Sequence, residues 1–414
     1  MVGSGFYLSP AALAPYGLLA IVFWIVMGAG ALCLGLTFAR LARRLPATGG
    51  PYAYTKAAFG DFAGFIVAWG YWISIWASLP LIAAAFTGSA LKMLPALAGS
   101  RAAAIGITIG VIWFVTLTNL RGVKTAGVFS EITTYAKLIP FAGISIAGLA
   151  FVHWNQLTEF NPSGKSIFDA TAALAPLTMF AYLGLESATV PAGDVRDPER
   201  TIPRATVVGI SIAGLLYVLG TVVVFGVVPR DQLVGSTAPF ADAARSMWGP
   251  WGAVVVSMAV NLSSSGALNG WTLLMGPVPM AAAEDHLFPP VFGRLSRRGV
   301  PALGIVLSAS LATGLVLVET SGRPGFAAAY TMLVSLATMT GVLAYVFCAL
   351  ADGLIAVGNA FPRPGFVEIT AFAFSLFTIY GCGPAPVLYG LVLLLLGIPV
   401  YVWQRREQLH ASGR

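Results

Sequence analysis

The chain has 414 residues, of which 57% are hydrophobic and only 9% are charged, and its mean hydropathy is +0.84. A soluble domain carries about 25% charged residues, so this composition excludes a soluble globular protein and predicts a polytopic membrane protein. The net charge of +7 does not indicate a nucleic-acid partner, because we expect the basic residues to collect in loops on one side of the membrane.

The first segment of the chain is too short to cross a membrane. A Gly-Ser-Gly sequence at residues 3–5 is followed by about twelve mostly apolar residues, 6–17, before the next long hydrophobic run. Such a segment covers roughly 18 Å as a helix, whereas the hydrocarbon core is about 30 Å thick. The pattern is typical of one side of a discontinuous transmembrane helix. We therefore expect a first helix truncated at its N-terminal half, with that half either encoded before Met1 or lost from the gene.

Eleven further hydrophobic runs predict an all-α fold in a single transmembrane domain, residues 1–414. The runs are residues 18–38, 62–91, 102–120, 128–152, 167–190, 205–228, 248–283, 301–318, 325–350, 369–380 with its flanks, and 387–403. Two of them, 62–91 and 248–283, exceed the ~20 residues that a perpendicular helix needs. These two predict long tilted helices or short interfacial extensions.

The basic residues of the loops predict the orientation of the chain. If the loop after residues 18–38 is cytoplasmic, sixteen Lys and Arg residues lie on the cytoplasmic side and six on the outer side. This asymmetry predicts a cytoplasmic C-terminus. Since no cleavable export signal is recognisable, we expect a multi-pass protein of the inner (plasma) membrane. Three cysteines and three histidines are scattered, so the sequence predicts no disulfide framework, no metal site and no cofactor.

Charged residues inside the hydrophobic runs are candidate functional residues, because each costs at least ~2.5 to 3.5 kcal/mol at the bilayer centre. Five such residues occur: Glu131, Lys137, Asp169, Glu186 and Glu319. Glu131, Asp169 and Glu319 lie near the ends of their runs, where a charge can reach water. Glu186 and Lys137 lie deeper in theirs.

Glu186 belongs to a second candidate helix break. Gly184 and Ser187 surround it, and both residue types weaken a helix in mid-membrane. The first break falls in the first helix and this one in the sixth, and such corresponding positions indicate a transporter built on inverted repeats. Unwound backbone in a membrane must line a cavity, so both breaks are expected to face one central site. Glycine in ordinary close helix packing is the alternative for either break alone.

The residue types at these breaks predict recognition of an amino acid backbone. Free N–H groups at a helix start bind a carboxylate, and freed carbonyls accept from an ammonium group. Aromatic side chains such as Tyr71, Phe180 and Trp271 could close over the ligand. A buried Glu186 could carry a coupled proton or could simply cap the broken helix. Lys137 needs polar partners, and candidates are the backbone near Gly3 and the hydroxyl groups at residues 263–265.

Six motifs occur in order along nearly the whole chain and resemble the amino acid/polyamine/organocation (APC) superfamily. They are residues 3–10 (GSGFYLSP), 49–54 (GGPYAY), 180–187 (FAYLGLES), 197–203 (DPERTIP), 270–274 (GWTLL) and 285–290 (DHLFPP). Within the superfamily the chain is most similar to the basic amino acid and polyamine antiporters, in particular the arginine/agmatine antiporters.

The resemblance implies a fold and an activity. The fold would be a leucine-transporter-type 5+5 inverted repeat with two extra C-terminal helices. Its parts would be residues 1–152 for the first repeat, 167–351 for the second, and 364–414 for the last two helices and a cytoplasmic tail. The activity would be exchange of a cationic amino acid for its decarboxylated amine, by alternating access in a homodimer with proton-sensitive gating.

The resemblance also implies roles for single residues. The substrate carboxylate would bind at Ser4 and Gly5, and the α-amino group at the carbonyls of Met1, Phe180 and Leu183. Trp271 would pack on the substrate side chain. The gating residues would be Tyr71 and Phe180, with Glu186 as the proton-coupling residue.

Three positions depart from the arginine/agmatine pattern. Phe180 replaces a tryptophan gate, Leu79 replaces an asparagine that contacts the guanidinium group, and Lys137 resembles the fifth-helix lysine of superfamily members that carry neutral amino acids. In sodium-coupled relatives a cation takes a comparable place, so a buried lysine could replace that ion. A neutral amino acid permease is therefore the alternative within transport. A channel or a membrane enzyme is the alternative from another class, but the chain shows neither rings of like residues nor a catalytic constellation.

Overall fold

The computed structural model describes residues 4–45, 49–97, 99–122, 140–189, 195–321, 326–355 and 365–412, and all structural statements refer to these ranges. Their regular structure is helical, with no strand in the described ranges. Eight helices are long and apolar enough to cross a membrane, and three shorter apolar helices accompany them. The all-α polytopic architecture expected from the sequence is therefore confirmed.

The N-terminal segment differs from the single half-helix expected from the sequence. It consists of two short helices, α1 (Ser4–Tyr7) and α2 (Ser9–Leu13), and a 3₁₀ turn at Ala14–Tyr16. Pro10 lies in the first turn of α2 and Pro15 lies in the 3₁₀ turn, and a proline cannot donate the backbone hydrogen bond that would continue the helix before it. Gly17 then turns the chain at φ 56° into α3 (Leu18–Arg44).

The next helices build the centre of the protein. They are α4 (Pro51–Phe59), α5 (Asp61–Met93), α6 (Arg101–Leu120) and α7 (Pro140–Phe151). The most hydrophobic part of α5 is 89% buried within the protein, and this helix packs against α4, α6, α11, α13 and α14. Its 33 residues exceed the ~20 needed to span, which fits the long helix predicted for residues 62–91.

The second half of the chain begins with α8 (Ile167–Tyr182), α9 (Pro198–Val227) and α10 (Arg230–Val234). The helix α11 (Pro239–Met275) contains a kink at Gly249, whose φ of 76° is not helical, and Pro250 follows directly. The short helix α12 (Pro277–Glu284) continues the same run. Residues 239–248 therefore form a separate helical segment before the span that was predicted to begin at 248.

The remaining helices are α13 (Ala302–Ser321), α14 (Phe326–Leu354), α15 (Phe366–Gly381), α16 (Pro384–Leu395) and α17 (Ile398–Ser412). The single run predicted at 387–403 is thus divided between α16 and α17. Helix α14 packs against α3, α4, α5, α8, α15 and α16, so it forms the second central element beside α5.

An ion-pair cluster joins three helices at the end of the fold where α3 and α14 finish and α15 starts. Asp352 on α14 is fully buried, and its carboxylate oxygens lie 3.1 Å from Arg40 Nε and 2.7 Å from Arg44 Nη1. Arg40 Nη1 also lies 3.1 Å from Glu368 Oε1, while Glu368 Oε2 accepts from the backbone N–H of Gly365 at the start of α15. The cluster neutralises a carboxylate that would be costly to bury alone.

Candidate functional site

The two interrupted segments of the chain lie in contact with each other. The ring of Phe180, in the last turn of α8, is 3.0 Å from the position that a β-carbon on Gly5 would take, and the Cα atom of Ala181 is 3.7 Å from it. Helix α1 also packs against α5 and α11. The expectation that residues 3–5 and the region of Gly184 meet is therefore met at Gly5 and Phe180.

The first interruption is expected at residues 3–5, and Gly3 lies outside the described residues. Ser4 and Gly5 are the first residues of the helical turn α1, and the described chain also bends at Leu8. The carbonyl of Gly5 accepts hydrogen bonds from Ser9 Oγ at 2.6 Å and from Tyr330 Oη at 3.3 Å. In a first helical turn the backbone N–H groups have no intrahelical acceptor, so this turn still presents free donors.

The second interruption lies where the sequence predicts it. Helix α8 ends at Tyr182, and Leu183 leaves the helix with ψ of 142°. Gly184 then adopts φ of 92°, a conformation that favours glycine. Two tight turns follow, in which Leu185 N–H donates to Tyr182 O at 3.2 Å and Ser187 N–H donates to Gly184 O at 3.1 Å.

The main-chain carbonyls at this second interruption are only partly used. Phe180 O accepts a long hydrogen bond of 3.3 Å from Leu183 N–H, which also donates to Met179 O at 3.0 Å. No described residue donates to the carbonyl of Leu183. The end of α8 therefore offers acceptor capacity beside Gly5, as the sequence suggests.

Glu186 is held by two tyrosines from different helices. Its side chain is fully buried, and Tyr71 Oη on α5 donates to Oε1 at 2.5 Å. Tyr345 Oη on α14 donates to the other carboxylate oxygen, Oε2. Thr189 Oγ1 donates to the backbone carbonyl of Glu186 at 2.7 Å. Both carboxylate oxygens are thus acceptors, an arrangement that suits an ionised carboxylate.

Tyr345 is the residue that sequence reasoning missed. A signal was present, because Thr338 and Tyr345 are seven residues apart and therefore lie on one face of a helix. Thr338 Oγ1 donates to the carbonyl of Pro176 at 3.4 Å, so this face of α14 contacts α8 near the second interruption. A polar stripe on an otherwise apolar span is easily taken for ordinary packing.

The aromatic residues singled out from the sequence lie around the two interruptions. Trp271 on α11 is partly buried, and its Cζ2 atom is 3.9 Å from the β-carbon position of Gly184. Phe180 is 5% exposed and contacts Gly5. Leu79, two turns after Tyr71 on α5, is fully buried.

Two predicted site residues, Met1 and Lys137, lie outside the described residues, as does Glu131. Ser263 and Ser264, suggested as partners of Lys137, are buried on α11. Asp169 accepts from Ser166 Oγ at 2.7 Å in the first turn of α8, and Glu319 is in the last turn of α13. These two carboxylates are therefore at helix ends. In the described ranges no group of three or more His, Cys, Asp or Glu residues is arranged to hold a metal ion.

Comparisons with known proteins show which protein family the sequence matches. Residues 1–396 match the family model described as "Amino acid permease". The chain is 30% identical over 408 residues to the putrescine transporter PotE of Escherichia coli (strain K12), with 97% of this chain and 92% of that protein covered.

Two further relatives are also named as a transporter or an antiporter. The chain is 29% identical to the putrescine transporter PotE of Haemophilus influenzae, with 97% of this chain and 93% of the relative covered. It is 32% identical to a cadaverine/lysine antiporter of Escherichia coli (strain K12), with 77% of this chain and 72% of the relative covered. The names of these relatives refer to small cationic amines and a cationic amino acid.

Proposed function

This chain belongs to the amino acid permease family, within the APC superfamily, and on that premise we propose that it is a secondary transporter that exchanges a cationic amino acid for its decarboxylated amine. The family match covers the two interruptions, the buried carboxylate and Trp271. Relatives named as transporters and antiporters support transport rather than catalysis.

The observation that supports a cationic substrate is the environment of Glu186. A fully buried carboxyl group that hydrogen-bonds two tyrosine hydroxyl groups would, when ionised, bring a negative charge to the point where α5, α14 and the turn after α8 meet. An arriving ammonium group or proton would complement this charge, whereas a neutral side chain would not. The alternative, a neutral amino acid permease, makes no use of this charge in binding the substrate side chain.

The two interruptions would bind the α-carboxylate and α-amino groups of the substrate. We assign the carboxylate to the N–H groups of Ser4 and Gly5, and the α-amino group to the carbonyls of Met1, Phe180 and Leu183. The contact between Gly5 and the end of α8 supports this assignment, because the Cα atom of Ala181 lies 3.7 Å from the β-carbon position of Gly5 and the two backbones are therefore neighbours. Trp271 would pack on the substrate side chain.

Gating is assigned to Tyr71 and Phe180, with Tyr345 added from the structure. The hydrogen bonds from Tyr71 and Tyr345 to Glu186 connect α5 and α14 to the turn that follows α8. Protonation of Glu186 would weaken both bonds because a neutral carboxyl is a poorer acceptor than a carboxylate. Loss of these bonds would free the three helices to separate, which couples a proton to alternating access. Lys137 would replace the coupling cation of sodium-dependent relatives.

The proposal includes the architecture implied by the resemblance. Residues 1–152 and 167–351 would be two inverted repeats, and residues 364–414 would add two helices and a tail. The C-terminus would face the cytoplasm, because the loops with most Arg and Lys lie on that side. The transporter would work as a homodimer in the plasma membrane.

The substrate pair expected from the sequence was arginine and agmatine. The names of the relatives include putrescine and cadaverine as amines, and lysine, arginine and ornithine as amino acids, and none of these names includes agmatine. Leu79 is buried and offers no hydrogen-bond acceptor to a guanidinium group. We therefore propose ornithine with putrescine, or lysine with cadaverine, ahead of arginine with agmatine.

Counterflow in proteoliposomes tests the proposal. Vesicles are loaded with putrescine, cadaverine, agmatine or buffer, and uptake of labelled ornithine, lysine, arginine or leucine is followed. We expect rapid uptake of ornithine or lysine only into vesicles loaded with an amine. Competition by leucine or alanine, with no effect of lysine or ornithine, would favour the neutral permease instead.

Empty vesicles and vesicles containing the Glu186→Gln variant serve as controls. The first measures leak, and the second separates exchange that depends on the buried carboxylate from exchange that does not. Absence of exchange for every amino acid and amine tested, with folded protein in the vesicles, contradicts the proposed activity.

A further inference from the structure

We propose that a cavity at the arginine-rich end of α3 binds an acidic phospholipid of the cytoplasmic leaflet. The proposal rests on the cytoplasmic orientation given above for that end, and none of the residues that line the cavity is assigned a role in binding or exchanging the substrate. The cavity has a volume of about 170 Å³, and its lining residues are Leu36, Ala39, Arg40, Arg43, Pro203 and Val367.

The cavity is amphipathic along the direction of the membrane normal. Leu36 and Ala39 precede Arg40 and Arg43 by about one turn of α3, so the apolar lining lies deeper and the arginines lie nearer the helix end. On α15, the neighbouring side chains Phe366 and Ile369 are 80% and 60% exposed. A molecule with an apolar chain and an acidic head fits this order of residues.

The charges around the cavity favour an anionic head group. Arg43 is exposed, and it forms no ion pair with any described carboxylate. The chain from Arg196 to Arg204 at the start of α9 contains three arginines against Asp197 and Glu199, a net charge of +1 next to Pro203. Basic pockets between transmembrane helices on the cytoplasmic side are sites for acidic lipid head groups.

Arg40 contributes rigidity to the site. Its guanidinium pairs with Asp352 on α14 and Glu368 on α15, so the part of the wall formed by α3 and α15 is held in one arrangement before any ligand arrives. A preformed wall lowers the ordering cost of binding. Arg43, whose charge is not used in this way, is left to pair with the phosphate.

Two other occupants have to be separated from a phospholipid. A free phosphate would use Arg43 alone and would gain nothing from Leu36, Ala39 and Val367. A second copy of this chain would have to bring a carboxylate to Arg43. The apolar lining together with the unpaired arginine favours the lipid, since one molecule satisfies both parts.

The test measures lipid binding and makes no use of transport, so its result is independent of the proposed exchange. Delipidated full-length protein in mild detergent is titrated with dioleoylphosphatidylglycerol, dioleoylphosphatidylcholine or glycerol phosphate, and the midpoint of thermal unfolding is followed. A ligand that binds the folded state raises this midpoint in proportion to the logarithm of its concentration. We expect stabilisation by phosphatidylglycerol at the lowest concentration and none by glycerol phosphate.

The variants identify the site. Arg43→Gln with Arg200→Gln should weaken phosphatidylglycerol binding about fivefold for each arginine, with little change for phosphatidylcholine. The matched control is Arg297→Gln with Arg298→Gln, two exposed arginines that lie before α13. A third variant, Val367→Trp, fills the cavity and should weaken binding of both lipids while leaving the unliganded midpoint near that of the wild type.

Several outcomes overturn the proposal. Equal phosphatidylglycerol affinity in the Arg43/Arg200 variant and in the control would place the head group elsewhere. Stabilisation by glycerol phosphate equal to that by phosphatidylglycerol would make the ligand a free anion. A change in protomer number for the Arg43/Arg200 variant, seen by light scattering with lipid binding unaltered, would make the surface a contact between copies.

Discussion

The phenyl ring of Phe180 lies against the backbone of Gly5, with its Cε1 and Cδ1 atoms 3.0 and 3.1 Å from the position of a β-carbon on that glycine. This contact joins the first and second interruptions without any intervening side chain. It therefore makes residue 5 a sensitive probe of how closely α1 and α8 must approach for substrate to bind.

A Gly5→Ala substitution should reduce substrate affinity more than stability. The added methyl group forces the Phe180 ring to move by a few tenths of an ångström, and Phe180 lies beside the carbonyl acceptors at the end of α8. We expect a rise in the apparent KM of exchange, about tenfold for ~1.4 kcal/mol of strain that is felt in the bound state. The matched control is Gly110→Ala on α6, where a β-carbon has no atom within 4 Å. An unaltered KM for Gly5→Ala would show that the ring is not part of the binding geometry.

Replacing Glu186 by Gln should make exchange insensitive to pH. The amide keeps the size of the side chain but can neither bind nor release a proton, so any step driven by protonation of this group is lost. Exchange of labelled amine is measured between pH 5 and 8 in proteoliposomes. Glu319→Gln, at the end of α13, is the control for loss of another membrane-region carboxylate. If Glu186→Gln keeps the pH profile of the wild type, the proton acts elsewhere.

Replacing Tyr71 or Tyr345 by phenylalanine should weaken the hydrogen-bonded arrangement around Glu186. Each change removes one hydrogen bond to a buried carboxyl group, which is worth about 1.5–3 kcal/mol when the acceptor is charged. Tyr71→Phe and Tyr345→Phe should each lower the free energy of unfolding by roughly this amount, and the double variant should show coupling because both bonds share one carboxylate. Chemical denaturation in detergent measures these values. Purely additive effects would mean that the two hydroxyl groups are not coupled to each other through the carboxyl group of Glu186.

A Gly341→Ala substitution should separate α5 from α14. A β-carbon at residue 341 would lie 2.6 Å from Ser74 Oγ and 3.4 Å from Leu183 Cδ2, and Ser74 Oγ already donates to Ala337 O at 2.8 Å. We expect a loss of about 1–3 kcal/mol in the free energy of unfolding, together with lower exchange because Tyr345 is one turn away. Gly353→Ala on the same helix has no neighbour within 4 Å and provides the control. Similar stability for both variants would show that α5 and α14 do not pack closely at Gly341.

The polar cluster of Asp285, Lys56 and Tyr52 predicts a pH-dependent contribution to stability. Lys56 Nζ and Tyr52 Oη lie 2.7 and 2.5 Å from Asp285 Oδ2. Partial burial raises the pKa of Asp285, but the hydrogen bonds from Lys56 and Tyr52 outweigh it, so the pKa lies below its ordinary value. A lowered folded-state pKa means that the stabilisation is complete above the unfolded value, about pH 4, and is lost as the pH falls through the folded value.

Asp285→Asn should therefore destabilise the protein near pH 7 and make a smaller difference at pH 3. Since the Asp285 side chain is 42% exposed, we expect at most about 1 kcal/mol. Thermal unfolding of wild type and variant at a series of pH values measures the difference. Glu284→Gln, the exposed neighbouring carboxylate, controls for a general change in charge. A difference that grows towards acid pH would have the wrong sign for this cluster.

Much of the fold follows from hydropathy alone. The low charge content and the long apolar runs predict the helices, and most of their positions agree with α3, α5, α6, α9, α13, α14 and α15 within a turn or two. The boundaries differ where glycine and proline act locally, as at Gly249 in α11 and at Pro10 and Pro15 in the first segment. The cost of a carboxylate in lipid singled out Glu186 without any structural information.

Other features could not be predicted, because they depend on which helix faces which. Tyr345 is 159 residues from Glu186, and nothing local to residue 345 shows that its hydroxyl group reaches the same carboxylate as Tyr71. The bend at Leu8 between α1 and α2 was also not predicted, because a proline, Pro10, rather than a glycine lies at the start of α2.

The sequence by itself determined that this is a helical membrane protein with a break and a buried acid in one long apolar run, because burial cost and backbone propensity are local properties of the chain. Tertiary structure alone decided that Gly5 lies against Phe180, that two tyrosines share Glu186, and that Arg43 lies beside an apolar cavity with no ion pair to a carboxylate of the described residues. Those relationships arise from packing between distant helices, where side-chain volume and hydrogen-bond geometry select one arrangement among many with the same hydropathy.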